Sequence, residues 1–171
     1  MKELLDKLSS YNIFNYLLPG VLVALFISLT TSFKVVTDNV LAAAFLYYFY
    51  GLVVSRVGSL VLEPLLKRLG IVRFARYADF VAAARVDPMI ETLSEQNNTY
   101  RTLASTVVCV ALAVAVDRGL ALCPRAIPSA RVVGASLLLA LLVLSYRKQA
   151  SYIVGRIEAV RANRPAAQTG K

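Results

Sequence analysis

The sequence predicts an all-α integral membrane protein: a bundle of four transmembrane helices with interfacial and cytoplasmic helices attached. Three observations carry that prediction. Hydrophobic residues make up 58% of the 171 residues, against about 45–50% in soluble domains. The surplus is gathered into four long apolar blocks, as membrane spans require. The charges, net +9, fall between and after those blocks, where anionic headgroups would meet them.

The first span is residues 13–33, 21 residues without a charge. At about 1.5 Å per residue it is long enough for a hydrocarbon core of about 30 Å. Pro19 and Gly20 predict a kink, or a break from an interfacial helix into the span at Leu18–Gly20. The mixed-charge flank of Lys2, Glu3, Asp6 and Lys7, the length of the run and the absence of a small-x-small pattern read as a retained span and not a cleavable signal. The short loop Lys34–Asn39 makes spans one and two an antiparallel hairpin.

The second span, residues 40–62, contains Arg56. It also places Gly51, Ser55 and Ser59 four residues apart, with Gly58 beside them. Small residues at that spacing let helix backbones approach closely, within the chain or between protomers. Tyr47, Tyr48 and Tyr50 lie too deep for an aromatic belt, so their hydroxyls need partners, with serines or Arg56 as candidates.

Residues 63–101 form the largest hydrophilic segment, read as cytoplasmic. Glu63-Pro64 marks a bend. An amphipathic interfacial helix follows, with Arg73, Arg76 and Asp79 on one side and Ile71, Phe74, Ala75, Ala78 and Val81 on the other. Asp87-Pro88 supplies an N-cap and a proline at the first helical position, and that helix runs into span three. The uncharged core of span three is residues 102–116, extended by its flanks to about 100–120. Asp117–Arg131 reads as a loop. Span four is residues 132–146, stopped by Arg147 and Lys148. A cytoplasmic helical extension, 147–164, carries Ile153, Val154, Ile157 and Val160 on one face, and 165–171 reads as a disordered tail.

Orientation follows from the basic residues. Lys2 and Lys7, six in the central segment and six after span four give 14 on one side against Lys34, Arg118, Arg125 and Arg131 on the other. That bias places both termini in the cytoplasm.

The chain has no His, which removes His-based acid–base catalysis, His-activated nucleophiles and His-ligated metals. Cys109 lies mid-span and Cys123 in a loop, so no internal disulfide is expected. Glu91 and Glu95 share a helix face, but without further ligands they read as a solvated or Arg-paired face. No phosphate loop or metal motif occurs. The expectation is therefore no enzyme, no cofactor and no metal. Lys and Arg beside span ends follow from topology, so direct nucleic-acid binding is not expected.

The candidate functional residues are few. Arg56 inside a span is costly, by roughly 2.5–3.5 kcal/mol on insertion scales. It either snorkels or pairs with Glu63 as a structural charge, or it serves gating. Lys67, Arg68, Arg73, Arg76, Arg147, Lys148 and Arg156 form a basic surface toward lipid or a partner. Asn97–Arg101 reads equally as a partner surface or as a membrane-entry cap.

Three stretches, YNIFNYLLPG (11–20), GLVVSRVGSLVLEPLL (51–66) and DPMIETLSEQNNTYR (87–101), resemble small four-span bacterial membrane proteins that accompany phage-defence genes. The family they are similar to is the membrane subunit of two-component Kiwa systems. That resemblance implies a homo-oligomer of the bacterial inner membrane that senses infection at the envelope and holds a cytosolic, DNA-binding partner against its inner face. It carries over no site residue. The expected function is accordingly a homo-oligomeric sensor or scaffold, taken as a tetramer, contacting membrane lipids and a soluble cytosolic protein. The alternative is an oligomeric pore that disrupts membrane potential, motivated by Arg56, by Ser28, Thr30, Thr31 and Ser32, and by Ser105 and Thr106.

Overall fold

The computed structural model describes residues 13–162. The N-terminal flank with Lys2 and Lys7, the proposed interfacial approach to span one, and the 165–171 tail lie outside the described residues. Every regular element among the described residues is helical. Helix α1 is a π-helical turn, Ile13–Leu17, running into Leu18–Thr30. Helix α2 spans Val40–Arg68 and contains a π-helical turn at Gly58–Leu62. Helix α3 is Tyr77–Val86, α4 is Met89–Leu122, and α5 is Ile127–Ala162 after a 3₁₀ turn at Pro124–Ala126.

Three helices are long and apolar enough to cross a membrane: Val40–Arg68, Met89–Leu122 and Pro124–Arg161; α1 is a shorter apolar helix. At about 1.5 Å per residue α4 is about 51 Å long and α5 about 54 Å, both beyond a core of about 30 Å. Their charge-free stretches are shorter. Only 15 residues separate Arg101 from Asp117 on α4, and 15 separate Arg131 from Arg147 on α5.

Helices α1, α2, α4 and α5 alternate in direction. Gly20 meets the backbone of Tyr47 and Gly51 meets that of Tyr16, so α1 and α2 are antiparallel. Ser105 bonds Val54 and Arg101 bonds Glu63, so α4 runs against α2. Lys148 of α5 returns to Ser59 and Glu63. At the opposite end the Ser32 backbone N–H and hydroxyl both donate to Asp117 Oδ1, tying the end of α1 to α4.

The interior is polar and the outside apolar. Among the described residues Asn15, Ser55, Ser59, Glu63, Thr102, Ser105 and Thr106 are buried, beside only Val23, Ala24, Val54, Val81 and Ala159 of the hydrophobic residues. Leu25, Phe26, Phe45, Val107, Leu112, Leu137 and Leu139 face outward. A water-soluble fold has the reverse arrangement. In an apolar solvent apolar contact between helices is not a driving force, and close packing and interhelical hydrogen bonds replace it.

Several boundaries differ from expectation, each for a local reason. α1 is not broken at Leu18–Gly20. The change of hydrogen-bond register comes one turn earlier, in the π turn, and the helix continues through Pro19. It ends at Thr30, short of Phe33, where the Thr30 and Thr31 hydroxyls bond back to carbonyls four residues earlier. Glu63-Pro64 does not end the helix either. The Glu63 N–H reaches Gly58 O, five residues back, and this π turn carries the helix past a proline that has no N–H to donate.

The predicted amphipathic helix across 65–86 is split. Gly70, at φ 72, closes α2: its N–H bonds Lys67 O, and the Ile71 N–H bonds Leu66 O, which is a Schellman termination. Residues 72–76 are non-helical and α3 begins at Tyr77. Gly70→Ala places a side chain in the left-handed region and is expected to cost roughly 1–2 kcal/mol, read as a lower unfolding midpoint in detergent; an unchanged midpoint contradicts this termination. The loop Asp117–Arg131 is largely helical. α4 continues to Leu122 and α5 starts at Ile127, with Pro128 in its first turn, where its missing N–H costs nothing. Arg147 and Lys148 do not stop α5, which passes through them to Ala162.

The Asp87 carboxylate accepts the Met89 N–H at 2.9 Å and caps α4, which runs unbroken through the polar Asn97–Arg101 stretch. α3 packs against α4 and α5. Its Val81 is buried, and the Tyr77 ring lies 5.6 Å from that of Tyr152 and against Gly155. Arg76 and Asp79 form an exposed ion pair at 2.9 Å. The carboxylate raises the already high guanidinium pKa of Arg76, so that charge is constant over the pH range in which proteins work.

Candidate functional site

Where α2, α4 and α5 converge, one carboxylate holds three cations. Glu63 Oε1 accepts from Lys67 Nζ at 2.9 Å, and Oε2 accepts from Arg101 Nη1 at 2.6 Å. Lys148 Nζ lies 3.9 Å from Oε1. The Glu63 side chain is 8% exposed, against 18% for Arg101, 25% for Lys148 and 44% for Lys67. The carboxylate is thus innermost and the cations form its outer shell.

The inward course of Lys148 has a cause in the sequence. Within an α-helical register Ser59 O would accept from Glu63 N–H, but that donor goes to Gly58 O. One residue further on stands Pro64, without an N–H. Lys148 supplies the missing donor: its ammonium bonds both Ser59 O and Ser59 Oγ at 2.7 Å. A buried carbonyl without a donor is costly, and here the proline of one helix specifies the lysine of another. Lys67 is fixed from its other side by the Phe74 ring, 4.2 Å from the ammonium.

A neutral polar cluster continues from this site into the bundle. The Thr102 hydroxyl donates to Asn98 O at 2.8 Å and lies 3.1 Å from the Asn15 amide oxygen and 3.3 Å from Ser55 Oγ. A hydroxyl has one proton and two lone pairs, so Ser55 can donate to Thr102 in return. Ser105 donates to Val54 O at 3.0 Å, and Thr106 donates to Thr102 O at 3.1 Å. Thr102→Val removes the link joining α1, α2 and α4. The expected loss is about 0.6–1.7 kcal/mol in a bilayer or detergent, measured by unfolding; equal stability would make the cluster energetically idle.

The four small residues singled out in α2 all face neighbours within the chain. A Cβ on Gly51 would fall 1.7 Å from Tyr16 O. Ser55 meets Thr102, Gly58 faces Ser105 and Arg101, and Ser59 receives Lys148. Arg56 does not pair with Glu63 in this arrangement; its Nη2 lies 3.4 Å from the Tyr16 hydroxyl. Tyr16 also meets Tyr48 edge-on at 5.5 Å, and the Tyr50 hydroxyl donates to Val35 O. Arg68, Arg73, Arg76, Arg147 and Arg156 are exposed, and of the basic surface residues only Lys67 and Lys148 join Glu63.

Arg101, Thr102 and Asn15 are the participants that sequence reasoning missed. Arg101 was legible only as part of a polar lead-in to span three. Thr102, Ser105 and Thr106, spaced three and four apart, form a small-polar stripe on one helix face, and that is the signal for an interhelical seam. Glu91 and Glu95 are exposed, and no metal-binding group of three carboxylates or thiols exists among the described residues. Cys109 and Cys123 are both free. At the opposite end a cleft of about 600 Å³ is lined by Phe33, Asp117, Leu120, Pro124, Ile127 and Arg131. It is open and mostly apolar.

No known protein family, curated protein or solved structure matches the chain.

Proposed function

We propose that this protein is a four-span inner-membrane scaffold or sensor with both termini in the cytoplasm, presenting a small basic head to a soluble partner. The observation that carries the reading is the way α4 and α5 overrun their charge-free stretches on one side of the bundle. From Met89 to Arg101 and from Arg147 to Ala162 they extend about 18–22 Å beyond those stretches. There α3 docks on both through Val81, Tyr77 and Gly155. Arg73, Arg76, Arg85, Arg156 and Arg161 are exposed on this head. Positive charge on that side fits a cytoplasmic position, and a folded head of packed helices is a surface that a protein can recognise. A homo-oligomer, a tetramer in the simplest case, would array several heads, and the resemblance to Kiwa-type membrane subunits would make the setting antiphage defence with a DNA-binding partner.

The test is affinity purification of the tagged protein in mild detergent with native mass analysis. The expected result is a homo-oligomer with a stoichiometric soluble partner that is lost when Arg73, Arg76 and Arg156 are changed to Glu. A homo-oligomer without a partner, or a complex indifferent to those changes, overturns it. A second reading, a pore, is favoured by the buried line Asn15, Ser55, Thr102, Ser105 and Thr106. Against it, all five side chains are buried, and Thr102, Ser105 and Thr106 spend their protons on backbone carbonyls. Ion flux in liposomes that Arg56→Ala abolishes would favour the pore.

A further inference from the structure

The geometry points to a binding site for a phosphate-bearing anion at Lys67, Arg101 and Lys148. Three cations share one carboxylate, and no other acid among the described residues pairs with them. The excess is not diluted by distance: all three cations lie within 3.9 Å of the one carboxylate. Like charges held together beside an apolar bundle repel strongly, since the local dielectric screens them poorly. A counter-anion removes that repulsion.

The exposures say where such an anion would sit. Glu63 is innermost, so the solvent-facing side of the cluster is entirely cationic. Glu63 and Ser59 hold the cations from within, and the Phe74 ring on the far side of the Lys67 ammonium fixes its position. Arg101 is under-used. Glu63 engages a single Nη, and the buried Nε finds no acceptor among the described residues, although a guanidinium presents five N–H donors matched to phosphate geometry. The site lies at the boundary of the charge-free stretches of α4 and α5. Two sources share the chemistry: an anionic lipid headgroup, for which that boundary is the natural depth, and a soluble phosphate. The lipid source rests on the membrane reading above and the phosphate source does not. Neither is read out by partner capture, so the two proposals fail separately.

The full-length protein, purified in non-ionic detergent and delipidated, is titrated with phosphatidylglycerol, phosphatidylcholine or inorganic phosphate. Retained lipid is counted by native mass spectrometry, and the unfolding midpoint is followed in parallel. One phosphatidylglycerol retained per protomer, with a raised midpoint and no such response to phosphatidylcholine, supports the site and assigns it to lipid. A raised midpoint with inorganic phosphate supports it and assigns it to a soluble anion. Lys67→Gln, on an exposed side chain whose loss leaves the helices intact by circular dichroism, weakens binding about fivefold. The control is Arg85→Gln with Arg161→Gln, outside the cluster, which leaves binding unchanged. No preference for either anion, an unaltered affinity in Lys67→Gln, or an equal loss in the control overturns the proposal.

Discussion

Glu63→Gln is expected to destabilise the protein by about 3–5 kcal/mol, the range for removing one partner of a buried ion pair. The substitution preserves shape and one acceptor oxygen but removes the only negative charge among the described residues that faces Lys67, Arg101 and Lys148. Those cations belong to α2, α4 and α5, so their repulsion acts on three helices together. The measurement is unfolding in detergent by thermal or denaturant titration. A double-mutant cycle sharpens it: Glu63→Gln with Lys148→Gln should lose less than the sum of the two single changes, because the second relieves repulsion left by the first. A loss below about 1 kcal/mol, the level of an exposed pair, would show that solvent or lipid already compensates these charges.

Gly51→Ala is expected to separate α1 from α2. The added Cβ would lie 1.7 Å from Tyr16 O, a backbone atom that cannot swing aside. Overpacking of this kind costs about 1–3 kcal/mol, occasionally more. Here the Arg56–Tyr16 and Thr102–Asn15 contacts lie in the same seam. Gly20→Ala should act alike, since its Cβ would meet Tyr47 O at 1.7 Å. Gly134 is the internal control. Nothing lies within 4 Å of its would-be Cβ, so Gly134→Ala should be neutral or gain up to about 1 kcal/mol from helix propensity. Equal effects at Gly51 and Gly134 would contradict the close crossing.

These two results probe different depths of legibility. The apolar blocks, the small-residue face of α2 and the Asp87 cap were readable because each rests on local chemistry or on a period along one helix. Gly70 is readable too: a glycine after LLKRL is a helix stop, but the amphipathic period of the residues on either side continues across it and masks the stop. The Asp117–Arg131 segment misled for the opposite reason. Its prolines and arginines suggested a loop, although a proline in the first turn of a helix is a start signal. Arg147 and Lys148 end the apolar stretch, but charge does so without ending a helix, and α5 runs on to Ala162.

The Glu63 site was legible only in its parts. Glu63, Ser59 and Lys148 each stood out as charged or small. Their meeting depends on the π turn that Pro64 imposes and on the rotation of α5 about its axis, and neither is written in a period. Arg56 drew attention because it lies deepest among the charges, yet its partner is a tyrosine of α1. Arg101, beside an unremarkable polar run, makes the shorter contact with the carboxylate.

The most direct measurement of the central claim, a bundle whose helical head stands in the cytoplasm, uses a native reporter. Cys123 is exposed in the turn between α4 and α5, and Cys109 lies within α4 and is partly covered. A membrane-impermeant thiol reagent applied to intact cells should label Cys123, and Cys123→Ser should abolish the labelling. A cysteine placed on the head, Arg85→Cys in the Cys123→Ser background, should react only in inside-out vesicles. Labelling of Arg85→Cys in intact cells, or of Cys123 only after the membrane is opened, would contradict the account.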